Sequence, residues 1–207
     1  MEISSVTPQK KHITRVCGTD GSELLLDTDL CTEVCLKEGM TLSAEQVAEL
    51  KERSDYIRTR SRALWYLDRA SHTERGLYEK LCRAGFPEKS AAAVIARFCE
   101  LDLLNDSRFA ESYAERYAEA GLSKRAISDK LYSKGVPLDI IKQTLSRLSF
   151  DEVVQVRAVI EKRYAARLNS GETEKVFAAL VRKGFSYGAV RTALKEYAQE
   201  LEYTEEV

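Results

Sequence analysis

The chain has 207 residues, 44% hydrophobic and 31% charged, which is long enough for a core that needs neither metal nor disulfides. Its five cysteines, Cys17, Cys31, Cys35, Cys82 and Cys99, contain no C-x-x-C pair. MEISSVTPQKKH lacks a leader-like apolar core and no apolar run approaches about 20 residues, so the sequence reads as cytoplasmic, with no membrane span. The net charge of −1 is segregated: residues 1–50 carry 4 basic and 9 acidic side chains, residues 51–194 carry 27 and 19, and residues 195–207 carry one lysine and five glutamates. A basic body between acidic ends points to a polyanionic partner or an acidic protein face, against the plainer reading of solvated helix surfaces.

From residue 11 to 36 the chain reads KHITRVCG, TDGS, ELLLDTDLCTEVCLK. Short runs of Ile, Thr, Val and Leu around Asp20-Gly21 predict a small β-hairpin or meander, with Cys31 and Cys35 on a buried strand face. Ser43 with Gln46 forms a capping box that opens a helix. Beyond residue 44 nothing reads as a strand. The expected fold is mainly α: a β-containing N-terminal extension (1–50), three tandem three-helix repeats (51–105, 106–150 and 151–200) forming an elongated body, and an acidic tail (201–207).

The repeats are visible in EKLCRAGFP (79–87), DKLYSKGVP (129–137) and AALVRKGFS (178–186), whose glycines Gly85, Gly135 and Gly184 lie 50 and 49 residues apart. That period accommodates about three helices. Four residues before each glycine stand Leu81, Leu131 and Leu180, and eight before stand Leu77, Ile127 and Val176, an apolar face at helical spacing. Ala91/Ile141/Val190, Ile95/Leu145/Leu194 and Phe98/Leu148/Tyr197 continue the stripe on the following helix. Each glycine is expected to close a helix in the left-handed conformation. Pro87 and Pro137 then suit a first helical turn, and Ser186 an N-cap. Ser71 with Glu74 reads as a capping box for the first middle helix. The first helices are expected at about 55–70, 106–120 and 151–168. One such module buries little on its own, so neighbours are expected to stack.

A search for catalytic chemistry returns nothing. There is no phosphate-binding glycine loop, His12 and His72 lie in different regions, and Glu111 with Glu115 reads as solvated surface. No cofactor, metal site or enzymatic activity is expected. Basic residues recur instead at matching positions: Arg75 with Arg125, Lys80 with Lys130, Lys134 with Lys183, and Arg83 with Arg182. Lys124, Lys175 and the RTRSR run with Arg58, Arg60 and Arg62 add to them. Such a row can follow phosphates without reading bases. Favourable placement at helix C-termini explains Arg83, Lys134 and Lys183 equally well, but predicts the opposite sign for Arg75, Lys124 and Arg125 near N-termini.

The segment 103–145, with Leu104-Asn105-Asp106, Arg108-Phe109-Ala110, Tyr113, Gly121, Ile127, Leu131 and Lys134-Gly135-Val136, resembles the core of the RecX family, regulators of the RecA recombinase. Upstream, Tyr66-Leu67, Ser71, Glu74, Leu77 and Leu81 with Gly85 resemble that family's first repeat. The likeness spans roughly 55–200 and is weaker in the third repeat, where Ala179 replaces the lysine seen at 80 and 130. It implies an all-helical body that lies in the groove of a RecA filament on single-stranded DNA and damps its ATPase, coprotease and strand-exchange activities; the chain itself is expected to be a monomer. The twelve cations expected to meet that partner or the DNA are Arg58, Arg60, Arg62, Arg75, Lys80, Arg83, Lys124, Arg125, Lys130, Lys134, Arg182 and Lys183. Two alternatives stand beside this reading: a free-standing helical DNA-binding protein without a recombinase partner, and a scaffolding repeat protein with a solvated basic face.

Overall fold

The structure, a computed structural model, describes residues 1–9 and 12–205, with side chains up to residue 200. The expected acidic tail, 201–207, therefore has its side chains and its last two residues outside the described residues. The chain divides into two compact units, Met1–Leu104 and Asn105–Val207.

The first unit opens with an antiparallel sheet in the order β1 (Ile3–Pro8), β2 (Ile13–Gly18), β3 (Glu23–Asp27). In β2, Thr14 and Val16 are buried while Arg15 between them is exposed, the alternation of a half-covered strand. At the β2–β3 turn, Asp20 accepts a 2.9 Å hydrogen bond from the Ser22 amide, and Gly21 supplies a φ of +79°. The meander ends sooner than the sequence suggests. Asp27 caps a short helix, α1 (Thr28–Glu33), accepting from the amides of Asp29 and Leu30. Cys31 thus lies on a helix and is buried, whereas Cys35 is exposed at φ +53°, so the expected strand face carrying both does not exist. Burial pushes the Cys31 thiol pKa up.

The Ser43 capping box forms as expected, Ser43 and Gln46 exchanging bonds of 2.8 and 3.1 Å. It opens one uninterrupted 24-residue helix, α2 (Ala44–Leu67). The first part of α2 covers the sheet: Leu50 joins Ile3, Val16, Leu26, Leu30, Leu36 and Leu42 in a core, and Ser54 Oγ accepts a 2.7 Å bond from the Asp27 amide. Its last turns belong to a second core, where Ala63 meets Leu77 and Leu81 of α3 (Glu74–Arg83) and Ala91, Val94, Ile95 and Phe98 of α4 (Glu88–Glu100).

The second unit repeats that helical pattern. Helices α5 (Asp106–Glu119), α6 (Lys124–Ser133) and α7 (Leu138–Arg147) enclose Phe109, Ala110, Ala114, Ile127, Leu131 and Ile141. Helices α8 (Glu152–Arg163), α9 (Ala165–Asn169), α10 (Thr173–Arg182) and α11 (Tyr187–Glu205) follow. Val156, Ile160, Val176, Leu180 and Val190 form the core there. A first helix over 151–168 is not continuous, because Tyr164, at φ −126°, separates α8 from α9. Arg157 ties α8 to α11 through Glu200 at 2.6 Å, and that hydrogen bond, with Glu196 and Glu161 nearby, holds its pKa above the ordinary value.

All three middle helices end alike. Gly85, Gly135 and Gly184 have φ of +87, +87 and +88°. The amide two residues beyond the cap (Phe86, Val136, Phe185) reaches back to the carbonyl of Leu81, Leu131 or Leu180 at 3.3, 3.2 and 3.4 Å. This is a Schellman closure, which satisfies carbonyls that the helix end would otherwise orphan. The same three leucines are fully buried, so each both closes its turn and fills its core. The starts differ. Thr73 and Ser123 cap α3 and α6 by accepting from the amides of Gly76 and Ala126, but α10 begins at Glu172 with no side-chain cap. Ser71 lies in the loop, and Glu74, as the first helical residue, sits too early to close the box expected there.

Candidate functional site

In the first two modules, a lysine five residues before the closing glycine lies against a tyrosine from the C-terminal end of the preceding helix. Lys80 Nζ is 4.2 Å from the Tyr66 ring centroid and 3.5 Å from His72 Nε2, and Lys130 Nζ is 5.6 Å from the Tyr117 centroid. The second module extends the motif. Phe109, Tyr113 and Tyr117 recur every four residues along α5, with Phe109 stacked on Tyr113 at 4.1 Å. Arg116 lies 4.2 Å and Lys134 5.1 Å from the Tyr113 centroid. Each such contact is worth about 0.5–1 kcal/mol at an exposed site. Holding the cation against a ring also restricts its rotamers in advance, reducing the entropy a partner must remove. At the corresponding place in the third module stands Ala179, and no ring there is braced by a cation among the described residues.

The remaining expected residues fall into separate settings. Arg58, Arg60 and Arg62 line a cleft of about 600 Å³ with Trp65, Phe86 and Asp27. Arg62 lies 5.2 Å from the Trp65 ring, and Arg69 3.7 Å from it. Arg58 approaches Asp55 at 3.9 Å. Arg75 and Arg83 converge on Glu79, at 2.8 and 3.9 Å, so much of their charge is spent within α3. Lys124 lies 5.5 Å from the Phe150 ring. The sequence equivalence of Arg75 and Arg125 is thus not one of environment, since Arg125 faces a cleft and forms no salt bridge with a described residue.

That cleft, about 660 Å³, gathers Arg125, Lys130, Arg182 and Lys183, and adds Arg163, which sequence reasoning missed. Among the described residues, Asp129 is the lone carboxylate on its wall. Ser123 Oγ, while capping α6, donates a 2.8 Å bond to the Lys183 carbonyl and so fixes the end of α10 against the start of α6. Arg163 carries no signal in the repeat register, because the positions matching it in the first two modules are Leu64 and Ala114. Only the packing of α8 reveals it. Among the described residues, no group of three or more His, Cys, Asp or Glu side chains is placed to hold a metal ion.

Fold and surface together define a class: a protein of tandem three-helix modules, each closed by a glycine Schellman turn, whose candidate site is a set of half-buried to exposed cations, several braced by tyrosine rings. Comparison with known proteins places it further. Residues 60–98 match the family model described as the first three-helix domain of RecX, and residues 105–145 the model of its second three-helix domain. Regulatory protein RecX of Clostridium perfringens (strain SM101 / Type A) is 28% identical over 94% of this chain and 95% of its own. That of Bacillus velezensis is 26% identical over 94% of this chain and 76% of its own. A crystal structure of regulatory protein RecX superposes with a TM-score of 0.67 over 93% of this chain and 98% of its own, at 22% identity. That of RecX from Lactobacillus salivarius gives 0.61 over 69% and 96%, at 25% identity. The chain is thus similar to RecX proteins through two successive three-helix domains and along most of its length. No helix among the described residues is long and apolar enough to cross a membrane.

Proposed function

We propose that the protein is a cytoplasmic, non-enzymatic regulator that binds the RecA recombinase filament on single-stranded DNA and restrains its ATPase, coprotease and strand-exchange activities. The observation that carries this reading is the braced lysine, presented at the same register in two successive modules by Lys80 on Tyr66 and Lys130 on Tyr117. A motif repeated along one chain suits a partner that is itself repetitive. The working unit is then the three-helix repeat, over 51–105, 106–150 and 151–200. Its contact surface comprises the twelve cations named from the sequence, joined by Arg116. A regulator of this kind needs no chemistry of its own: preferring one filament state by about 3 kcal/mol shifts the balance more than a hundredfold.

The test is the DNA-stimulated ATPase of the cognate RecA, with this protein added well below one copy per recombinase. Inhibition at that ratio is expected. It should weaken in the Lys80→Ala/Lys134→Ala variant, whose circular dichroism should match the parent's because Lys134 is exposed and Lys80, though half-buried against Tyr66, belongs to no hydrophobic core. No inhibition by the parent chain, together with tight binding to naked duplex DNA, would replace this reading with that of a free-standing DNA-binding protein.

A further inference from the structure

We infer that the cleft lined by Arg125, Lys130, Arg163, Arg182 and Lys183 holds the phosphodiester backbone of a single nucleic-acid strand. The inference rests on the filament reading above and adds a direct DNA site within the second unit, which shares Lys130 with the braced set but contains neither Lys80 nor Lys134. Five cations, on α6, α8, α10 and the residue that caps the end of α10, share a space of about 660 Å³ with one carboxylate, Asp129. All five are exposed, and none is in a salt bridge with a described residue. Other arginines of the same unit are neutralised: Arg147 lies 3.8 Å from Glu111, Arg157 2.6 Å from Glu200 and Arg167 2.7 Å from Glu172. Like charges left uncompensated in one concavity repel one another until an anion arrives.

The donors identify the anion. Three guanidinium forks, each suited to a bidentate phosphate contact, come from three different helices, so they match anions strung along a chain better than one small ion. Their frame is rigid, since Ser123 Oγ grips the Lys183 carbonyl at 2.8 Å and Gly184 lies so close that a β-carbon on it would stand 2.8 Å from that oxygen. Among the described residues, no ring lines the cleft. Bases therefore have no stacking surface, and contact with the backbone alone is blind to sequence. The apolar part of the lining is Ala120, Leu122, Ala126 and Val181, which offers no deep pocket for the side chains of an acidic peptide. A cleft of this volume encloses a few phosphates of one strand, not a duplex.

The experiment measures binding of the full chain to a labelled single-stranded oligonucleotide of mixed sequence, without recombinase, across a salt series. The Arg125→Glu/Arg163→Glu/Arg182→Glu variant should bind at least roughly tenfold more weakly, with a log K against log salt slope shallower by about 2, near 0.7 per lost phosphate contact. Lys142→Glu/Arg191→Glu/Lys195→Glu, equal in charge change and outside the cleft, should stay near the parent. Arg163→Gln, a milder change, should weaken binding about threefold with circular dichroism unaltered. An unaffected cleft variant, equal losses in both triple variants, or a parent chain that binds no oligonucleotide overturns the assignment. Displacement by polyglutamate as readily as by DNA would transfer the cleft to an acidic protein partner, and preference for duplex would remove the single strand. The ATPase assay separates the two ideas. Inhibition without oligonucleotide binding sinks only the cleft, and oligonucleotide binding without inhibition sinks only the filament reading.

Discussion

Gly85 and Gly184 share a left-handed backbone but not their surroundings. A β-carbon at Gly85 would meet nothing within 4 Å, whereas one at Gly184 would stand 2.8 Å from Ser123 Oγ and 3.1 Å from Arg125 Cβ. Gly85→Ala is therefore expected to lose about 1 kcal/mol from backbone strain alone, and Gly184→Ala distinctly more. Urea unfolding of both variants checks the difference, and equal losses would mean that the end of α10 yields freely. Glu172 offers a second residue-scale test. Its hydrogen bond from Arg167, reinforced by Lys175, holds the carboxyl pKa below its ordinary value. A depressed folded-state pKa contributes stability that is present above the unfolded pKa of about 4.3 and is lost as pH falls through the lower folded value. Thermal unfolding of Glu172→Gln should accordingly show a flatter acid limb than the parent below about pH 4.3, with the curves converging at the acid end.

Helix ends were the most readable elements. The glycine period, the leucine four residues earlier and the Ser43–Gln46 box are each local, and local chemistry decides them. The strand β1 escaped because ISSVTP has little alternation, and it pairs only when β2 is present to receive it. Likewise the cysteines were placed on a strand because nothing in LCTEVC discloses that Asp27, one turn earlier, starts a helix. The cap of α3 was misplaced by two residues for want of the loop geometry. The cation settings were legible only as a list of positions: that Arg75 spends itself on Glu79 while Arg125 faces a cleft depends on packing between helices. At this scale Thr73→Ala and Ser123→Ala are a useful pair. Loss of a cap is worth about 1 kcal/mol, and Ser123→Ala should exceed that by the further bond to Lys183. Equal values in chemical denaturation would make that second bond energetically idle.

For the molecule as a whole, a net charge of −1 conceals a segment, 51–194, with 27 basic against 19 acidic side chains. If that segment meets a polyanionic assembly, inhibition of the recombinase ATPase should fall as salt rises from about 50 to 200 mM, over which counterion release weakens phosphate contacts steeply. Inhibition indifferent to salt would assign recognition to apolar contact instead. The division at Leu104 leaves each unit its own cores, while the extension boundary read from the sequence at residue 50 falls inside α2, which serves the sheet with Leu50 and the first module with Ala63. The Ser123 hydroxyl has a comparable double duty, as it stops the first turn of α6 from fraying and holds the last turn of α10. Fraying of the one and release of the other are then a single event. The second and third modules should melt and exchange their amide hydrogens together rather than peel off in sequence, a cooperativity set by one oxygen atom at their seam.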